Sequence, residues 1–118
     1  MKRILWLLFL LLGSLTIQAQ SDYHTRQAQA YQREAARYTR QAEQYDREAA
    51  RYNQQAQRHL REAERHTRRK DYAQVRTCQQ RARRATDQAE TYTRRARNAR
   101  DRAQQYLRRA ERELEKKR

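Results

Sequence analysis

The chain has 118 residues, with 29 lysines and arginines against 14 acids, one glycine, no proline and a formal charge of +15. Without glycine or proline few tight turns can form, and long uninterrupted helices are expected. At 36% hydrophobic, much of it alanine, the chain cannot wrap a thick globular core. One elongated module is what remains.

Lys2 and Arg3 precede the apolar run Ile4 to Leu12, and the chain turns polar by Gln18. That order is the order of a secretory signal peptide, and the segment resembles bacterial export signals. Its apolar stretch is shorter than the roughly 20 residues a spanning helix needs. Residues 1–19 are therefore expected to be cleaved off after Ala19, an uncleaved anchor being the alternative. No cysteine sits at the junction, which argues against a bacterial lipoprotein. Removing Lys2 and Arg3 takes the formal charge from +15 to +13 on residues 20–118. The expected mature chain is secreted or periplasmic, has no transmembrane helix and seeks an acidic partner or surface.

Ser21 can cap a first helix and Asp22 suits the positive end of its dipole. Residues 28–69 then divide into six seven-residue units. The first place is always alanine: Ala28, Ala35, Ala42, Ala49, Ala56 and Ala63. The fourth is always a ring: Tyr31, Tyr38, Tyr45, Tyr52, His59 and His66. Apolar positions spaced three and then four apart mark the seam of a supercoiled helix. The hexamer REAARY at 33–38 and 47–52, with REAERH at 61–66, shows a fourteen-residue duplication beneath the heptads.

A second ladder runs Val75, Cys78, Ala82, Ala85, Ala89, Tyr92, Ala96, Ala99, Ala103, Tyr106, Ala110. Ala63 and Val75 are twelve apart, so its phase does not continue the first. Between the ladders lie Arg68, Arg69 and Lys70, suited to a helix C-terminus, and Asp71 to Gln74, which resembles a capping box. The expected fold is all-α: helix 1 over about 22–69, a turn at about 70–71 and helix 2 over about 72–116. The two helices form an antiparallel coiled-coil hairpin spanning 20–118. One continuous helix, pairing with a second antiparallel chain, is the competing arrangement.

A fold-back at 70/71 sets opposite each other residues whose numbers sum to 141. Tyr31 then faces Ala110, Tyr38 faces Ala103, Tyr45 faces Ala96, Tyr52 faces Ala89, Tyr92 faces Ala49 and Tyr106 faces Ala35. Large against small fills a narrow seam. The same register predicts the flanking pairs Glu34–Arg109, Glu48–Arg95, Glu62–Arg81 and Gln55–Gln88. The plan resembles secreted helical-hairpin adhesins and the arms of periplasmic holdase chaperones. That likeness covers the architecture of residues 21–118 and brings no shared motif or site residue.

Cys78 is the single cysteine. It reads either as a small apolar filler opposite Ala63 or as an inter-chain disulfide in an oxidising compartment. His24, His59 and His66 occupy the ring place of the heptad. Seven residues put His59 and His66 about 10 Å apart along a helix, too far to share a metal ion. Charging them near neutral pH is expected to loosen the turn end of the seam. No catalytic set, phosphate loop or nucleotide fingerprint is visible, and no cofactor or enzyme activity is expected.

Arginine carries the functional lead. Arg26, Arg33, Arg37, Arg40, Arg47, Arg51, Arg58, Arg61, Arg65 and Arg68 occupy the two outward heptad places of the first helix. They recur about every 5 Å, comparable with the charge spacing of polyphosphates, nucleic acids and acidic glycans. The guanidinium fork grips phosphate or carboxylate bidentately. The bland alternative is a solvated face of good helix formers. The expected function is a binding protein for an acidic polymer, lipid headgroup, envelope surface or acidic protein, nucleic acid being less favoured because the tyrosines point into the seam. The competing function is a structural, adhesive or chaperone-like hairpin that self-assembles, through Cys78 or by pairing of hairpins.

Overall fold

The computed structural model describes the backbone of residues 2–117 and the side chains of residues 22–117. The expected signal peptide and Ser21 fall outside the described side chains. Two helices make up the fold, α1 (Lys2–Arg68) and α2 (Tyr72–Lys116), with no strand among the described residues. None of the described helical segments is long and apolar enough to cross a membrane.

α1 stops through its own backbone chemistry. The Asp71 N–H donates to the His66 carbonyl at 2.9 Å and the Lys70 N–H to the Thr67 carbonyl at 3.0 Å. These two bonds form a Schellman motif, which satisfies carbonyls that no further helical turn would reach. The motif needs a left-handed residue, and Lys70 takes that place at φ 60°. A side chain there costs about 1–2 kcal/mol through contact of Cβ with the following carbonyl. Lys70→Gly is therefore expected to stabilise the fold by about 1 kcal/mol, read as a rise of a few degrees in the thermal midpoint by circular dichroism.

α2 starts on the other half of the same turn. Asp71 Oδ1 accepts the Gln74 N–H at 3.5 Å, a long capping bond. The reciprocal half of the expected capping box does not form, because the Asp71 N–H is committed to His66.

Contacts group the chain into two units, one joining Met1–Arg37 with Arg102–Arg118, the other comprising Tyr38–Asp101. The second unit is a helical hairpin closed by the Arg69 to Asp71 turn. Its helices run antiparallel, since Tyr45 and Tyr52 meet Tyr92 while Glu62 meets Cys78. The buried side chains are Ala42, Ala49, Ala56, Ala63, Cys78, Ala82, Ala85, Ala89, Ala96 and Ala99. Ala42, Ala96 and Ala99 form its tightest cluster, with Tyr45 packed against them. An alanine methyl has no rotamers to lose, so close helix approach costs little side-chain entropy.

In the first unit Ala28, Ala35, Ala103 and Ala110 are buried. Tyr31 and Tyr106 lie alongside, tilted at 34° with ring centroids 6.1 Å apart. With its proton on Nδ1, His24 donates to Glu113 Oε2 at 2.8 Å, and Lys117 Nζ donates to Thr25 Oγ1 at 3.1 Å. Glu113 is held below the ordinary carboxylate range first by its hydrogen bond with His24 and then by the one Lys116 Nζ donates to its Oε1 at 3.1 Å. A lowered carboxylate stabilises the fold above its unfolded value and loses that contribution as pH falls through the folded one. His24→Gln is expected to move the Glu113 titration, followed by carboxyl-carbon NMR, back up toward the ordinary range.

Candidate functional site

A heptad wheel places the ring position beside the last position of the heptad, and antiparallel packing sets those two edges together. One edge of the hairpin therefore carries the rings of both helices. Tyr92 lies between Tyr45 and Tyr52, with centroids at 6.0 and 5.6 Å, the second pair nearly coplanar at 12°. Tyr92 thus sits at the level of Ala49, midway along the seven residues separating Tyr45 from Tyr52. The alanine that each tyrosine faces is only part of its environment: rings from opposite helices also interleave. Offset aromatic contacts of this kind contribute about 0.5–1.5 kcal/mol each beyond area burial.

The flanking charges correct the expected pairings. Glu34 binds Arg37 at 2.8 Å and Glu48 binds Arg51 at 2.7 Å, each within its own helix. Glu62 Oε2 lies 3.6 Å from His59 Nδ1 and 3.9 Å from Cys78 Sγ. The arginines expected opposite them do something else. Arg95 lies over Tyr92 and Arg109 over Tyr106, both 5.1 Å from the ring centroid. An arginine three residues after a ring reaches that ring without crossing the seam, and the pair shields a half-buried face. Asp46 and Arg100 form an ion pair across the opposite, alanine edge of the hairpin.

All ten stripe arginines, Arg26, Arg33, Arg37, Arg40, Arg47, Arg51, Arg58, Arg61, Arg65 and Arg68, are exposed. The last seven belong to the hairpin unit. Arg51 also lies over the Tyr52 ring at 5.7 Å, and Arg61 Nε donates weakly to the Gln57 carbonyl at 3.5 Å. Arg40, Arg47, Arg58 and Arg65 hold no carboxylate at ion-pair distance among the described residues. Their charge faces water. α2 brings further exposed arginines to the same unit, among them Arg76, Arg83, Arg94 and Arg97, which the stripe on α1 left out of account.

Cys78 is 2% exposed. Its thiol is enclosed by the seam, so joining two chains through it requires the hairpin to open locally. The three ring-place histidines are all half-buried. His59 Nδ1 is the notable atom: it is buried without a hydrogen bond, with Glu62 Oε2 at 3.6 Å just beyond reach. The expected Gln55–Gln88 pair lies where these two side chains line a common shallow groove of about 230 Å³. Tyr52, His59, Ala85, Arg81 and Arg84 line it as well, Ala85 being buried and the two arginines exposed.

No family model matches the chain, and neither a curated protein nor a solved structure matches it.

Proposed function

We propose that this chain is an exported, non-enzymatic coiled-coil hairpin that binds an anionic polymer through the arginines of α1. The observation that supports the reading is the exposure of all ten arginines at the outward heptad places, eight of them, all but Arg37 and Arg51, without a carboxylate at ion-pair distance among the described residues. A regular row of uncompensated guanidiniums on a stiff helix favours a ligand that is itself a row of charges. A lone headgroup would meet only one or two of them. The cleaved signal peptide and the secreted or periplasmic location belong to the same proposal.

The test is binding of linear polyphosphate, followed by titration against a labelled chain. The variant Arg40→Gln, Arg47→Gln, Arg58→Gln and Arg65→Gln is expected to bind at least about tenfold more weakly than wild type. Arg76→Gln, Arg83→Gln, Arg94→Gln and Arg97→Gln on α2 removes the same charge and is expected to lose clearly less. Equal losses would mean that net charge, not the α1 row, carries the binding.

A second reading is self-assembly. Leu107 and Leu114 stand seven residues apart on α2, 46% and 38% exposed, as one apolar line outside the seam. If they join hairpins, light scattering shows an oligomer that Leu107→Gln with Leu114→Gln dissolves, while polyphosphate binding is unaffected.

A further inference from the structure

The ring edge of the hairpin has a rule and an exception. On α1, rings follow at seven-residue intervals, about 10 Å. The α2 residue at the matching heptad place enters each interval. Between Tyr45 and Tyr52 that residue is Tyr92, which stacks on Tyr52 and lies tilted at 38° against Tyr45. Between Tyr52 and His59 it is Ala85, and there the surface sinks into the groove of about 230 Å³. The alanine at the same heptad place one interval beyond Tyr92, Ala99, is covered differently, because Tyr45 packs against its cluster. At Ala85 the α1 rings Tyr52 and His59 line the groove, and no ring from α2 is among its lining residues.

From this geometry we infer a binding site at Ala85 for a small planar aromatic anion, whose ring lies between Tyr52 and His59 and whose carboxylate or phosphate meets Arg81 and Arg84. The stack of Tyr92 on Tyr52 shows what such a ring would do at the opposite end of Tyr52's interval with His59. Arg81 and Arg84 are three residues apart, hence on one side of α2, and both line the groove. No carboxylate lines it. Glu62, which the sequence would set against Arg81, is turned instead toward His59 Nδ1 and Cys78. That leaves the rim positive. Gln55 and Gln88 add amide groups able to hydrogen-bond the same acid group. The site uses the inner edge of the hairpin, not the outward row on α1, so it stands or falls separately from polymer binding.

The test uses the whole protein and four probes: benzoate, phenyl phosphate, cyclohexanecarboxylate and benzyl alcohol. Chemical-shift mapping is expected to show saturable shifts centred on Tyr52, His59 and Ala85 with benzoate and phenyl phosphate. Cyclohexanecarboxylate, with the charge but no flat ring, is expected to bind about three- to tenfold more weakly. Benzyl alcohol, with the ring but no charge, should be weaker again. Ala85→Tyr supplies the chain's own ring in the place of the ligand. It is expected to abolish the benzoate shifts and to raise the thermal midpoint. Arg84→Gln should weaken benzoate several-fold while leaving the midpoint unchanged. Equal binding of benzoate and cyclohexanecarboxylate, shifts spread over the arginine surface, or undiminished binding by a folded Ala85→Tyr would each overturn the site. Because the mapping on wild type needs no variant, misfolding of Ala85→Tyr would not rescue the idea.

Discussion

Ala49→Asp is expected to abolish cooperative unfolding of the hairpin, while Ala50→Asp, one residue further on, leaves it nearly intact. The two positions share local sequence and helix propensity, and aspartate costs a helix interior no more than about 0.7 kcal/mol relative to alanine. They differ in what they touch. Ala49 is 6% exposed, at the level of Tyr92, whereas Ala50 is exposed. No polar or charged side chain is buried anywhere among the described residues, so a carboxylate in the seam finds no partner there. Such an uncompensated charge costs several kcal/mol, on the order of 3–5. Total stability at about 0.05–0.15 kcal/mol per residue is of similar size. Thermal and urea unfolding by circular dichroism reads both variants. Two similar losses would show that α1 is held by propensity alone, with no seam at Ala49.

The seam was the most legible part of this molecule because alanine at every seventh position is a strong constraint. A helix with a fixed heptad must bury that stripe or expose it all. The turn was readable for a related reason, since neither ladder can continue the other across a gap of twelve residues. What sequence could not supply was the choice among near-equal partners. Glu34 and Glu48 each had an arginine three residues away on the same helix and another across the seam. Exposed ion pairs differ by well under about 1 kcal/mol. The cross-seam arginines had an alternative too, in the faces of Tyr92 and Tyr106. A pairing rule that ignores cation–π contacts therefore picks the wrong neighbours while keeping the right register. The interleaving of Tyr45, Tyr92 and Tyr52 was missed because large-against-small reasoning considers one layer at a time. Rings reach into the next layer. A count of ring places on α2, where Ala85 follows Tyr92 by one heptad toward the turn, would have marked the groove.

Raising salt tenfold is expected to weaken polyphosphate binding by about three orders of magnitude. A flexible polyanion contacting about five of the seven hairpin-unit arginines on α1 releases counterions with a logarithmic slope of about −0.7 per contact, or roughly −3.5. The α1 variant lacking Arg40, Arg47, Arg58 and Arg65 loses up to four contacts, so its slope should be shallower by up to about 2.8. The α2 variant tests the only serious competitor, which is diffuse attraction by the net charge, +13 once residues 1–19 are removed. Diffuse attraction depends on total charge, so both variants would flatten the salt dependence alike. Local contacts depend on alignment, and only the α1 variant would flatten it strongly. A slope near zero in wild type would remove the polyanion altogether, and Leu107 and Leu114 would then carry the better functional lead.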